Sequence, residues 1–105
     1  MFDLKWSPAE KKIARSAYEA ALEVALASVM AEFKAKAAAA ASPSDIWDVE
    51  DYLRRQRYEI DRLFDYRYSQ LLLVFAQLIR KGYLKEARLT GLSDEKREIV
   101  RRLLS

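Results

Sequence analysis

The 105-residue chain contains no cysteine and no histidine. Without cysteine there is no disulfide frame and no thiolate metal site. Without histidine, the commonest general base and the commonest zinc ligand are both missing. Glycine and proline occur only twice each, so few positions can interrupt a helix. Runs of β-branched residues bounded by turn residues, the mark of strands, are also lacking. What remains is rich in alanine, leucine, glutamate, arginine and lysine, a helical composition. The expected fold is all-α, in a length that fits one domain. The longest apolar run, Leu71 to Ala76, falls far short of the roughly 20 residues that span a bilayer. The start, Met1-Phe2-Asp3-Leu4-Lys5-Trp6, has no signal-peptide pattern. A cytoplasmic location without membrane insertion is therefore expected.

Known chemistries are missing as well. There is no phosphate-binding glycine loop, no catalytic triad and no metal-ligand spacing. Carboxylate pairs such as Asp61 and Asp65 occur at i, i+4, but no histidine or second ligand-rich helix accompanies them. No residue qualifies as catalytic, no metal site is expected, and the chain is read as acting by binding rather than as an enzyme.

Charge is unevenly spread beneath a net +3. Residues 1–79 carry 11 basic and 12 acidic side chains, and residues 80–105 carry 8 basic and 4 acidic. The last quarter is modestly basic, which suits either a solvated helix surface or an acidic partner. It holds few aromatics, and its basic residues alternate with acids, so nucleic acid is the weaker reading.

Ser7-Pro8-Ala9-Glu10 reads as a helix start, with a serine cap, proline at the first position and a glutamate able to reach back. A first helix from there to about Ala41 would be roughly 50 Å long. That exceeds a compact chain of this size, whose radius of gyration should be about 13 Å. Leu22, Leu26, Val29 and Phe33, led by Tyr18, mark its expected apolar stripe. Ser42-Pro43-Ser44 ends it, and Ser44 or Asp45 is expected to cap a second helix. There the stripe reads Ile46, Val49, Leu53, Ile60 and Phe64, with Arg57 on the seam. Either an acid meets Arg57 or the seam opens to solvent. Trp47, Asp51, Arg54 and Tyr58 line a neighbouring face, which reads as an interface or as a partly solvated face with an Asp51–Arg54 or Asp51–Arg55 pair.

After the second helix comes the most unusual stretch, Phe64-Asp65-Tyr66-Arg67-Tyr68. Asp65 either caps a third helix from Tyr66 to about Lys81, or the second helix continues through it. The unbroken apolar run Leu71 to Ala76 predicts a helix buried on all sides. Gly82 is the expected stop. A short helical turn over Tyr83 to Leu89, a break at Gly91 and a final helix capped by Ser93 follow, with Ile99, Val100, Leu103 and Leu104 available to pack. Two regions are thus expected: an extended helical rod over 1–63 and a helical head over 64–105.

Several of these segments resemble the fluorescence recovery protein family of cyanobacteria. They are Trp6-Ser7 with Ala9-Glu10, Asp45-Ile46-Trp47, Arg57-Tyr58-Glu59-Ile60-Asp61, Asp65-Tyr66-Arg67-Tyr68-Ser69, Val74-Phe75-Ala76-Gln77-Leu78 and Leu89-Thr90-Gly91-Leu92. The resemblance spans nearly the whole chain, and Asp65, Tyr66, Arg67 and Tyr68 are its clearest signature and the expected hinge between rod and head. It implies a helical homodimer without catalysis or a cofactor. The implied partner is the C-terminal domain of the orange carotenoid protein, a photoswitch whose red form quenches phycobilisome fluorescence. The implied action is to speed the red form back to orange, at phycobilisomes on the thylakoid surface. Residues 1–63 would dimerise, with Trp47, Glu50, Asp51 and Arg57 at or around the interface and Arg57 paired to Asp51 across it. Leu73, Lys96, Ile99 and Arg101 in the head would face the partner. Glu50, Leu73 and Ile99 depart from the family pattern, which has histidine, phenylalanine and lysine there. Two partner readings stay open: the carotenoid protein, or a different protein bound by the same homodimeric scaffold.

Overall fold

The computed structural model describes residues 3–105. Met1 and Phe2, on which the reading of the start partly rests, lie outside them. The chain folds as helix α1 (Pro8–Ala39), helix α2 (Pro43–Leu63), helix α3 (Leu71–Arg80), a single 3-10 turn (Glu86–Leu89) and helix α4 (Asp94–Leu104). No strand occurs among the described residues. The all-α expectation holds.

Helix α1 begins as its sequence dictates. The Glu10 amide donates to Ser7 Oγ and the Ser7 amide donates to Glu10 Oε1, each at 3.1 Å. It ends at Ala39, short of Ala41, because the same motif recurs as Ser42-Pro43-Ser44-Asp45. Ala40 and Ser42 are extended, and Asp45 Oδ2 accepts from the amides of Ala41 (2.9 Å) and Ser42 (3.1 Å). The cap of α2 is therefore Ser42, not Ser44 or Asp45, and Asp45 is the reaching-back member of the box.

Helices α1 and α2 fold back as an antiparallel hairpin. Lys36 Nζ sits 5.1 Å from the Tyr52 ring near the connection, and Tyr18 meets Phe64 edge-on at 5.3 Å toward the far end. The packed faces differ from the expected stripes. In α1 the fully buried side chains are Ala14, Ala17, Ala21 and Ala25. Leu22, Val29 and Phe33 are half-buried and Leu26 is exposed. Alanine's small size lets neighbouring backbone approach closely, so the buried line follows the small residues. In α2 the half-buried face runs Val49, Tyr52, Gln56, Ile60 and Leu63. This register places neutral Gln56 at the seam and leaves Arg57 in solvent, avoiding the cost of burying an unpaired guanidinium.

Neither expectation for residues 64–70 holds: α2 stops at Leu63 and α3 starts only at Leu71. Asp65 does not cap a helix; its carboxylate is taken by Arg67. Helix α3 is buried at Leu71, Leu72, Val74, Phe75, Ala76 and Leu78, and only partly at Leu73. It ends at Arg80, and the chain turns away at Gly82, whose φ of +80° favours glycine. There the Tyr83 amide donates to the Leu78 carbonyl and the Gly82 amide to that of Ile79, both at 3.0 Å.

The core of the head joins α3 to Leu84, Leu89, Leu92 and Val100, with Ile99, Leu103 and Leu104 packed around it. It also takes in Ala14, Ala17 and Ala21 of α1, so the first half of α1 is a wall of the head as well as the start of the rod. At Gly91 an added Cβ would lie 2.1 Å from Ile13 Cδ1, which is why a glycine stands where this turn crosses α1. The molecule measures 53 × 26 × 22 Å, with a radius of gyration of 16.7 Å.

Candidate partner-binding surfaces

The first surface lies on the rod. Val24, Leu26 and Met30 of α1 and Ile46, Trp47, Leu53 and Tyr58 of α2 are all exposed, Trp47 at 62% and Tyr58 at 61%. Trp47 and Tyr58, eleven residues apart, share one face of α2. Asp51 and Arg57 are exposed beside them and have no ion-pair partner among the described residues. The expected Asp51–Arg54 or Asp51–Arg55 pair is replaced by Glu50–Arg54, at 2.5 Å. Glu50–Arg54 is an i, i+4 pair with the acid N-terminal, a spacing that suits a helix.

The second surface is the linker between rod and head. Residues 64–67 lie in no helix or turn, and a turn closed by the Gln70 amide on the Arg67 carbonyl at 2.8 Å begins at Tyr68. Aromatics and charges alternate along 64–68. Asp65 and Arg67 pair with each other in a bidentate fork, with Nη2–Oδ2 at 2.5 Å and Nε–Oδ1 at 2.9 Å. The guanidinium holds the Asp65 carboxyl below its ordinary range, and the carboxylate raises Arg67. Phe64, Tyr66 and Tyr68 form a continuous aromatic stack with Tyr18 and Trp6. Tyr18 meets Tyr66 at 4.8 Å, Tyr66 meets Tyr68 at 5.6 Å, and Tyr68 meets Trp6 at 5.4 Å. The Trp6 indole N–H and the Tyr66 hydroxyl are buried without hydrogen-bond partners among the described residues. Burial first, then the neighbouring Tyr68 hydroxyl, pushes the Tyr66 phenol up to about 12. The alternation of aromatics at 64, 66 and 68 with charges at 65 and 67 was the readable sign of an extended segment.

The head places its four expected contact residues unequally. Leu73 and Ile99 are half-buried, and Ile99 packs against the core. Arg101 is exposed and held by Glu86 (3.3 Å) and Glu98 (3.6 Å). Lys96 is not at the surface. It is 5% exposed, and its ammonium donates to the Lys5 carbonyl at 2.6 Å and to Glu10 Oε1 at 3.3 Å. The same ammonium lies 5.0 Å from the Trp6 ring. Glu10 is the residue that sequence reasoning missed in this role. Its other oxygen accepts the Ser93 amide at 3.0 Å, so one carboxylate caps α1 and ties it to the start of α4. Burial pushes Glu10 upward, but the amides of Ser7 and Ser93 and the Lys96 ammonium outweigh this, and its pKa is lowered.

The basic C-terminal quarter is partly paired from within. Arg97 pairs with Asp94, Arg102 with Glu98, and Arg80 donates to the Leu103 carbonyl. No helix among the described residues is long and apolar enough to cross a membrane, and no cluster of acidic side chains there converges at metal-binding distance.

An apolar face left open along paired helices, a clamped aromatic linker and a small closed core around α3 define an all-helical protein with open surface for a partner. A family model described as photoprotection regulator fluorescence recovery protein matches residues 6–104. The fluorescence recovery protein of Synechocystis sp. PCC 6803 is 33% identical over 98 residues, covering 93% of this chain and 90% of that one. The solved structure of the Fremyella diplosiphon fluorescence recovery protein superimposes with a TM-score of 0.89 at 33% identity. That from Synechocystis superimposes with a TM-score of 0.90 at 32% identity; each match covers 94% of this chain and 97% of the other. The chain belongs to the fluorescence recovery protein family of photoprotection regulators.

Proposed function

We propose that this protein is a homodimer that binds photoactivated orange carotenoid protein at its C-terminal domain, accelerates its red-to-orange reversion and so ends phycobilisome fluorescence quenching. The observation that carries the reading is the family match over residues 6–104, supported by a fold shared almost end to end with solved members. To act without catalysis of its own, the protein must bind the resetting arrangement better than the open red form.

Dimerisation is supported by surface. The chain exposes 7110 Å², about 1,000 Å² more than the roughly 6,100 Å² of a compact monomer of its mass. That excess is comparable to the roughly 800 Å² that each partner buries in a standard interface. Residues 1–63 supply the dimerising rod through Trp47, Leu53 and their exposed neighbours, with Arg57 of one subunit paired to Asp51 of the other. Residues 64–105 present Leu73, Ile99 and Arg101 to the partner, while Lys96 contributes through the N-terminal segment it anchors.

Size-exclusion chromatography of a mixture with orange carotenoid protein tests the reading. Co-elution under strong light and not in the dark is expected. Separate elution in both states would point instead to a different partner for the same scaffold.

A further inference from the structure

We infer that a tyrosine-floored basic groove on the head binds an acidic segment of a partner protein. The groove, of about 630 Å³, is walled by Lys11, Lys12 and Arg15 of α1 and by Arg88 of the 3-10 turn, over Tyr66 and Tyr68. It rests on the reading above that this chain works by binding another protein, and it gives that partner a chemistry.

Four cations converge here, and none has a carboxylate within ion-pair distance among the described residues. Elsewhere many cations are already engaged, as Arg54, Arg67, Lys96, Arg97, Arg101 and Arg102 show. Two of the groove's cations are instead placed by aromatic rings. The Arg15 guanidinium lies 3.8 Å over the Tyr66 ring, and Lys11 Nζ lies 5.4 Å from that of Tyr68. Stacking on a ring fixes a guanidinium while leaving its in-plane N–H donors free for a carboxylate. The clamped linker that positions both tyrosines thus preorganises the cations above them.

Glu19 and Glu23 also border the groove. They would repel a continuous line of phosphates, so a nucleic acid fits poorly. A polypeptide with a few spaced acidic side chains meets cations and avoids these two carboxylates.

Fluorescence anisotropy with a fluorescein-labelled octaglutamate peptide tests the site, with octaglutamine as the neutral control. Octaglutamate is expected to bind, octaglutamine is not, and amide shifts in a 15N spectrum should centre on Lys11, Arg15, Tyr66 and Tyr68. Lys12 and Arg88 are exposed, so the double variant Lys12→Gln/Arg88→Gln should fold normally. It should weaken octaglutamate binding by about 2- to 25-fold, since each exposed charge contact is worth about 0.2–1 kcal/mol, or roughly 1.4- to 5-fold. The control Arg102→Gln, at a distant exposed cation, should change it less than about twofold. No octaglutamate binding, equal loss in the control, or tighter binding of a U8 oligonucleotide at the same amides would each overturn the proposal. The titration contains no carotenoid protein. A failure to accelerate reversion with peptide binding intact would count against the proposed function alone, and the opposite pair of results against the groove alone.

Discussion

At the scale of single residues, Glu10 and Lys96 hold the most consequence. Removing one member of a buried ion pair leaves the other uncompensated. Glu10→Gln should therefore cost about 3 kcal/mol, read by urea denaturation near neutral pH. The pH dependence has a definite sign. Because the folded-state pKa of Glu10 is lowered from 4.5, its contribution is fully present above that value and is lost as pH falls through the lowered one. Stability should fall with acid in the native chain and fall less steeply in Glu10→Gln, measured as the denaturation midpoint between neutral and acid pH. This pair was half legible. Glu10 was readable as a cap, but its second task lies 86 residues away. Lys96 stands four before Val100, on the inward face of α4, yet its charge argued for solvent. Only the folded chain brings the carboxylate to it.

At the scale of elements, α1, α3 and α4 were readable, because cap motifs, an unbroken apolar run and glycine stops act locally. The faces of α1 and α2 were not. The sequence stripe weights large apolar residues, whereas close helix packing selected alanines in α1 and the Tyr52–Gln56 register in α2. Residues 64–70 contain no glycine or proline, so no local breaker residue marks the break between α2 and α3. Here an aromatic stack against α1 outweighs helix propensity. The turns offer two tests. Gly82→Ala should cost about 1 kcal/mol, from the positive φ alone, since nothing crowds its Cβ position. Gly91→Ala should cost about 1–2 kcal/mol through overpacking against Ile13, and pairing it with Ile13→Val or Ile13→Ala should recover part of the loss. Thermal denaturation of the single and double variants separates the two causes.

At the scale of the whole molecule, the radius of gyration of 16.7 Å exceeds the roughly 13 Å of a compact domain of this length, and the excess comes from a rod whose apolar face has no cover within the chain. Light scattering should give twice the 12.2 kDa of the chain. Leu53→Glu, which places a charge in that face, should shift the mass toward the monomer while the helical circular dichroism of the head persists. Arg57→Ala should weaken the dimer through its lost pair with Asp51; an unchanged dimer and unchanged partner binding would remove that pair from the interface. The all-helical class was legible from composition and length, but which face stays open could be read only after the inward faces were known.

The most direct measurement follows the red-to-orange reversion of light-activated orange carotenoid protein in the dark, with increasing amounts of this protein. Reversion should quicken with dose until it saturates, and Leu53→Glu should alter the dose dependence by changing the dimer. A reversion rate unchanged at a large excess of the folded dimer would contradict the proposed function.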